Sequence, residues 1–186
     1  MKILSTLSAI SAFLLPASVT FAQDSTDIVF EDPMIEAAAR EQLKWSGLAN
    51  DQPVTQSHLE NVTYLWFDED GEDRVRNLND LRHFTNLRSL EIWNASGITS
   101  FEPLWKVDSI RYLYVYGARD PDFSGISGLS KLRILDLSDC SLKNLGFLVS
   151  ADFTELHSLI LEANHLDLTE DSNSSLQIKT LKNLVE

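Results

Sequence analysis

Apolar residues recur through the middle of the chain as triplets, at the first, fourth and sixth places of a short unit. The triplets are Val62-Leu65-Phe67, Leu87-Leu90-Ile92, Ile110-Leu113-Val115, Leu132-Leu135-Leu137 and Leu156-Leu159-Leu161. Their first members lie 25, 23, 22 and 24 residues apart. The fourth and sixth places alternate with polar or aromatic residues, which is the period of a strand with one buried face. Such strands at near-constant spacing predict an internal repeat, in which each unit buries its apolar side on the next.

The last two units carry the pattern furthest. Leu132 to Leu142 reads L-x-x-L-x-L-x-x-C-x-L, and Leu156 to Leu166 repeats it with Asn164 in the ninth place. This is the pattern of a leucine-rich repeat. Asn or Cys in the ninth place satisfies backbone groups at the turn leaving the strand, which would otherwise be buried unpaired. Asp70 is a polar substitute in the first repeat, whereas Ala95 and Ala118 depart from the rule. Asn94 comes one place early, and Asp120-Pro121-Asp122 stands where the next apolar residue belongs. The first three turns are therefore expected to be irregular and the last two regular. Between strands, Leu78, Leu81 and Phe84 supply apolar residues for the convex side, followed by Phe101 and Leu104. Phe123, Ile126 and Leu129, then Leu145, Phe147 and Leu148, do the same in the later repeats. These segments are too short for a long helix, so a short helix, a 3₁₀ turn or extended chain is expected. The predicted fold class is a leucine-rich repeat solenoid (α/β), with about five parallel strands on the concave face and a helical N-terminal cap.

The cap is legible as helix signals. Asp32 is a good N-cap and Pro33 is tolerated at the first helical position. Ile35, Ala38, Ala39 and Leu43, with Met34 beside them, fall on one face, and Gly47 marks a stop. Thr55 caps a second short helix, with Leu59 and Val62 turned inward. The first 22 residues have the character of a secretory signal peptide. Lys2 is basic, Ile3 to Leu15 is mostly apolar, and Thr20 and Ala22 precede a cut before Gln23. Residues 1–22 are thus read as signal, 23–61 as leader and cap, 62–168 as repeats and 169–186 as a C-terminal segment. For that last segment two readings stand. One is a helix capped by Ser174 or Ser175 with Ile178, Leu181 and Val185 on one face, which is preferred; the other is a truncated repeat.

Charge narrows the partners. The chain has a formal net charge of −13, which sets nucleic acid and anionic lipid aside. With signal cleavage, no other segment is apolar enough for membrane insertion. Cys140 is the only cysteine, so an exported protein would have no internal disulfide. Its turn position suits a structural role rather than a nucleophile. The acidic run Asp68 to Asp73 does not fit an EF-hand and is read as a solvated loop, with calcium as the weighed alternative. The four histidines show no paired-ligand spacing, and no G-x-S-x-G, phosphate-loop or dinucleotide motif occurs. No cofactor, no metal and no enzymatic activity are expected.

The order of elements resembles that of the internalin-like leucine-rich repeat proteins of bacteria. The resemblance starts at Ile28-Val29-Phe30-Glu31-Asp32 and continues through the cap helix at Ala38 to Leu43. Val54 to Leu59 is similar to the second cap helix. Thr85-Asn86-Leu87 is similar to the run that enters the first full strand, and Ile98 to Leu104 to the convex segment with Pro103 before Leu104. It implies export and recognition of a protein partner through the concave face.

On that face the third, fifth and seventh places hold Tyr64, Trp66 and Asp68; Ser89, Glu91 and Trp93; and Tyr112, Tyr114 and Tyr116. The later strands hold Ile134, Asp136 and Ser138, then Ser158, Ile160 and Glu162. Six aromatics thus gather on the first three strands, and all these places are expected to point outward. Arg88, Arg111 and Arg133 form a row at the second place. Cross-strand pairs of this kind also stabilise sheets, but large aromatics on a surface suit protein recognition. The expected partner-binding residues are Tyr64, Trp66, Glu91, Trp93, Arg111, Tyr112, Tyr114 and Tyr116. The alternative is a structural protein that self-associates weakly by stacking through an uncapped C-terminal repeat.

Overall fold

A computed structural model describes residues 27–67, 74–148, 151–167 and 169. The expected signal, the acidic run Asp68 to Asp73 and almost all of the C-terminal segment lie outside the described residues. Five short strands form one parallel sheet in chain order: β1 (Tyr64–Phe67), β2 (Ser89–Ile92), β3 (Tyr112–Val115), β4 (Ile134–Asp136) and β5 (Ser158–Ile160). Register is constant along the array. Leu65, Leu90, Leu113, Leu135 and Leu159 align across successive strands, and the backbone steps by one whole repeat each time.

That register stacks the leucines into continuous rows. Leu65, Leu90, Leu113 and Leu135 have no exposed surface, and the first-place row from Val62 to Leu156 is buried throughout. Each such leucine contributes about 2 kcal/mol by leaving water. At β5 all three strand positions are only partly buried. Among the described residues nothing stacks beyond it. The convex side is built from 3₁₀ turns, at Asn79–His83, Glu102–Lys106, Ser124–Gly128 and Gly146–Leu148. Phe101, Phe123 and Phe147 run between these turns as an edge-to-face series, with ring centroids 5.1 and 5.6 Å apart. Trp105 joins it and lies over Gly125 and Gly128. A Cβ at Gly125 would sit 2.2 Å from the indole, and one at Gly128 would sit 2.2 Å from the Trp105 carbonyl. Both positions therefore require glycine for close approach.

The regular turns behave as their ninth places predict. The Asn164 Oδ1 accepts from the Cys140 and Leu142 amides at 3.0 Å, and its Nδ2 donates to the Leu137 and Leu161 carbonyls. Cys140 is buried, and its Sγ donates to the Val115 carbonyl at 3.2 Å. The preceding residues, Asp139 and Ala163, take left-handed φ values of 53° and 55°. Those conformations are disfavoured for L-residues, and the side-chain bonds in these turns offset the cost. Where alanine stands instead, the backbone supplies the bond: the Ala95 amide donates to the Tyr116 carbonyl at 2.8 Å. The early Asn94 accepts from the Ser96 amide and hydroxyl, turning the chain into a 3₁₀ turn at Ala95–Gly97.

The cap is helix α1 (Pro33–Lys44) followed by α2 (Gln56–Leu59). α1 starts at Asp32, whose Oδ1 accepts from the Met34 amide, and buries Ile35, Ala39 and Leu43. Gly47, just beyond its end, takes φ +92°. In α2 the Thr55 amide donates to Nδ1 of His58, which closes the cap from the side chain. Two buried carboxylates fasten this cap to the first repeat. Asp32 Oδ2 accepts from the Arg76 and Asn77 amides at 2.9 and 3.0 Å. Asp80 Oδ2 reciprocates, accepting from the Glu31 and Asp32 amides at 2.8 Å each. Asp80→Ala leaves two backbone donors without their charged acceptor, so it is expected to destabilise the fold by about 3 kcal/mol. Urea unfolding monitored by circular dichroism measures this, and a loss below about 0.5 kcal/mol would show that the clamp is dispensable.

Candidate functional site: the concave face

The expected recognition residues lie on three neighbouring strands. Tyr64 and Trp66 are on β1, Glu91 is on β2, and Tyr112 and Tyr114 are on β3. Trp93 and Tyr116 follow β2 and β3, and Arg111 precedes β3. The parallel register turns these positions into cross-strand rows. One reads Tyr64, Ser89, Tyr112, Ile134 and Ser158; the next reads Trp66, Glu91, Tyr114, Asp136 and Ile160. Serine and glutamate thus separate the aromatics in the first two rows. In the third row they touch: Trp93 and Tyr116 stack with centroids 4.6 Å apart and planes 17° off parallel.

The tyrosines are less open than the sequence suggests. Trp66 and Trp93 are exposed at 45% and 41%, but all four tyrosines are half-buried. Neighbouring strands in a sheet lie only about 4.8 Å apart, and side chains this large shield one another across them. Asp136 departs further from expectation. It lies in the concave row but is buried there, covered by the groups that occupy both its oxygens. Oδ2 accepts from the Tyr116 hydroxyl at 2.8 Å, and Oδ1 accepts from the Ser138 amide and hydroxyl at 3.0 and 2.6 Å. Asp136 therefore supports the face from beneath instead of forming part of it. The sequence alternation placed it correctly by period but could not show that Tyr116 closes over it.

Electrostatics hold the phenols in their neutral form. Burial pushes the Tyr116 hydroxyl well above the ordinary tyrosine range, and the hydrogen bond and negative charge of Asp136 push it the same way. Tyr114 is raised by burial and then by Glu91, and Tyr64 by burial and then by Glu91. The face thus presents hydroxyl donors and indole rings around carboxylates that the tyrosines already engage. Beyond Trp93 the strand ends border a polar cavity of about 470 Å³, lined by Arg74, Asn94, Ser96, Arg119 and Asp139 among others. Neither Arg74 nor Arg119 belongs to the strand pattern, so no periodic signal marks them.

Groups weighed for chemistry are dispersed. His58 caps α2, His83 is half-buried behind the first 3₁₀ turn, and His157 and His165 are exposed. Among the described residues no group of three or more His, Cys, Asp or Glu side chains gathers as a metal site. Burial pushes the Cys140 thiol up to about 12, so it stays protonated at neutral pH.

Comparison with solved structures identifies the architecture. The chain superposes on internalin C2 of Listeria monocytogenes with a TM-score of 0.64 and 22% identity, over 84% of this chain and 63% of that one. An internalin F of the same organism matches with a TM-score of 0.58 and 22% identity, over 89% of this chain and 52% of the other. The chain thus spans 63% and 52% of the lengths of these two proteins. No family model and no curated protein matches the sequence.

The raised tyrosines make stability fall with alkali. A folded-state value above the unfolded 10.0 means that folding retains the proton. The stabilisation is complete below pH 10 and is lost as pH rises through the folded value. Asp136→Asn removes the charge beneath Tyr116 and leaves only burial and more distant charges to raise it. Tyrosinate absorbance is expected to appear at lower pH in that variant than in the parent, with a shallower alkaline loss of melting temperature. Superimposable titration curves would show that Asp136 does not hold the Tyr116 proton. Strand order, register and superposition agree that the chain has the fold of an internalin-like leucine-rich repeat protein.

Proposed function

We propose that this chain is an exported, non-enzymatic binding module that engages a protein partner through the aromatic concave face on β1 to β3. The observation that carries this reading is the Trp93–Tyr116 stack, set beside an exposed Trp66 on a rigid sheet. Stacked and half-buried rings are already ordered before a partner arrives, so little side-chain entropy is lost on binding. Trp, Tyr and Arg are also the residues that dominate interface energetics. The likeness to internalins supports a binding scaffold by its fold, and export rests on the N-terminal apolar segment with its small-residue cleavage site. Among the described residues, no helix is long and apolar enough to cross a membrane.

The test is a pair of proteins, the parent and a Trp93→Ala/Tyr114→Ala variant, used to capture and then titrate a cross-linked partner. The variant is expected to keep its circular dichroism spectrum and to bind about 30-fold more weakly or worse. Equal affinity would remove the concave face from the binding site. For export, expression with the leader followed by N-terminal sequencing of the released protein is expected to read from Gln23. A chain still beginning at Met1 outside the cytoplasm would overturn the cleavage reading.

A further inference from the structure

We propose that Arg88 and Arg111, in line with Arg133, form a carboxylate-reading rim that selects an acidic segment of the protein partner; this rests on the proposed concave-face reading. The three arginines precede β2, β3 and β4 at equivalent places. Their backbones are joined directly: the Arg111 amide donates to the Arg88 carbonyl at 2.8 Å, and the Arg133 amide to the Arg111 carbonyl at 2.8 Å. The side chains therefore issue from adjacent strands, about 4.8 Å apart at their origins. Stacking three fixed positive charges at that spacing is unfavourable unless anions intervene.

One anion is already present and shows what the row accepts. Glu155 binds Arg133, with its Oε2 3.0 Å from Nε. Arg88 and Arg111 form no ion pair with any described residue. Arg88 is exposed, and Arg111 is half-buried with its Nη1 closed off from solvent and without a hydrogen-bond partner. The sealed Nη1 fixes the fork in place, the other guanidinium nitrogens of Arg111 are not sealed, and a carboxylate is the group that a planar fork matches best. The chain's own nearby carboxylates are committed elsewhere. Asp136 serves Tyr116 and Ser138, and Glu91 lies against Tyr64 and Tyr114. An incoming carboxylate would thus do at Arg88 and Arg111 what Glu155 does at Arg133.

Protein carboxylates are favoured over other anions by what adjoins the row. Tyr112 follows Arg111 directly and Tyr114 lies two residues further, so charge and aromatic surface meet on one strand. That mixture fits a peptide carrying acidic and apolar side chains. The local row acts in a chain of net charge −13, so its effect is confined to contact range. This chemistry predicts discrimination by charge at fixed shape.

The test uses a synthetic oligoglutamate peptide, its oligoglutamine counterpart and a sulfated heparin oligosaccharide, each titrated against the full chain by calorimetry. Oligoglutamate is expected to bind, weakening as salt rises, and oligoglutamine is expected not to. Arg88→Gln/Arg111→Gln is expected to weaken oligoglutamate binding roughly tenfold. Because Arg111 is half-buried, the exposed single variant Arg88→Glu serves as a second probe and is expected to weaken binding with the fold unchanged. Equal binding of glutamate and glutamine peptides, arginine variants that bind like the parent, or tighter binding of heparin than of oligoglutamate would each overturn the proposal. The Trp93→Ala/Tyr114→Ala variant separates the two readings. If it loses a cross-linked partner while the arginine variants keep that partner, the rim fails and the aromatic face stands.

Discussion

Everything on this molecule's concave face depends on one constraint, the in-register pairing of parallel strands that differ by a whole repeat. Because Leu65, Leu90, Leu113, Leu135 and Leu159 are mutual neighbours, every other place along the repeat also becomes a row. A slip of one residue would exchange the buried leucines for the tyrosines and tryptophans facing them, so burial itself enforces the register. The proposed recognition surface is thus the outward image of the core. Tyr64 aligns with Ser89 and Tyr112 because Leu65 aligns with Leu90 and Leu113.

A repeat array pays for this regularity at its ends and at its turns. At the N-terminal end the uncovered face of the first repeat is closed by α1, whose Ile35, Ala39 and Leu43 join the leucine core. Apolar contact alone is non-directional, and the directional element is the exchange between Asp32 and Asp80. Each carboxylate accepts amides from the other's segment across nearly fifty residues of sequence. At the turns, each chain reversal threatens to bury backbone groups without partners. Asn164 and Cys140 solve this with side-chain atoms, whereas the Ala95 turn borrows a carbonyl from the next repeat. The sheet tolerates an alanine in the ninth place because the neighbouring strand end supplies the missing bond.

These facts explain why the sequence is legible in some places and opaque in others. Strand positions, the parallel sheet, short convex segments and the start of α1 at Asp32 all rest on local periodicity or a local cap, and the structure contains each of them; that the convex segments are 3₁₀ turns, rather than short helix or extended chain, comes from the structure. The Asp32–Asp80 clamp is invisible in the sequence, because nothing in the spacing of two aspartates announces that their backbones will meet. Asp136 is misread for a related reason. Its place in the alternation points it outward, but the Tyr116 hydroxyl from the preceding strand and its own Ser138 enclose it. Alternation assigns a face, while burial on that face is set by the size of cross-strand neighbours. Arg74 and Arg119 lie outside any repeat place, so their approach to the cavity beyond Trp93 leaves no periodic trace.

The charge distribution then gives the face a character that composition does not. An acidic chain of net charge −13 suggests an acidic binding surface. On the concave side of β2 to β4 the carboxylates are covered rather than displayed. Asp136 is buried under Tyr116, Glu91 lies between Tyr64 and Tyr114, and both are flanked by phenols kept neutral by burial and by those same carboxylates. Asp136 and Glu91 are therefore engaged with aromatic rings, while Glu162 stays exposed beyond β5. Positive groups remain at the margin, where Arg88 and Arg111 precede their strands without a counter-ion among the described residues. If the proposed rim takes carboxylates, a surface built this way would repel acidic molecules at a distance and accept them at contact. Such opposition would slow encounter and leave selection to short-range geometry, so specificity would fall to the fit of individual carboxylates and rings rather than to the field of the whole protein.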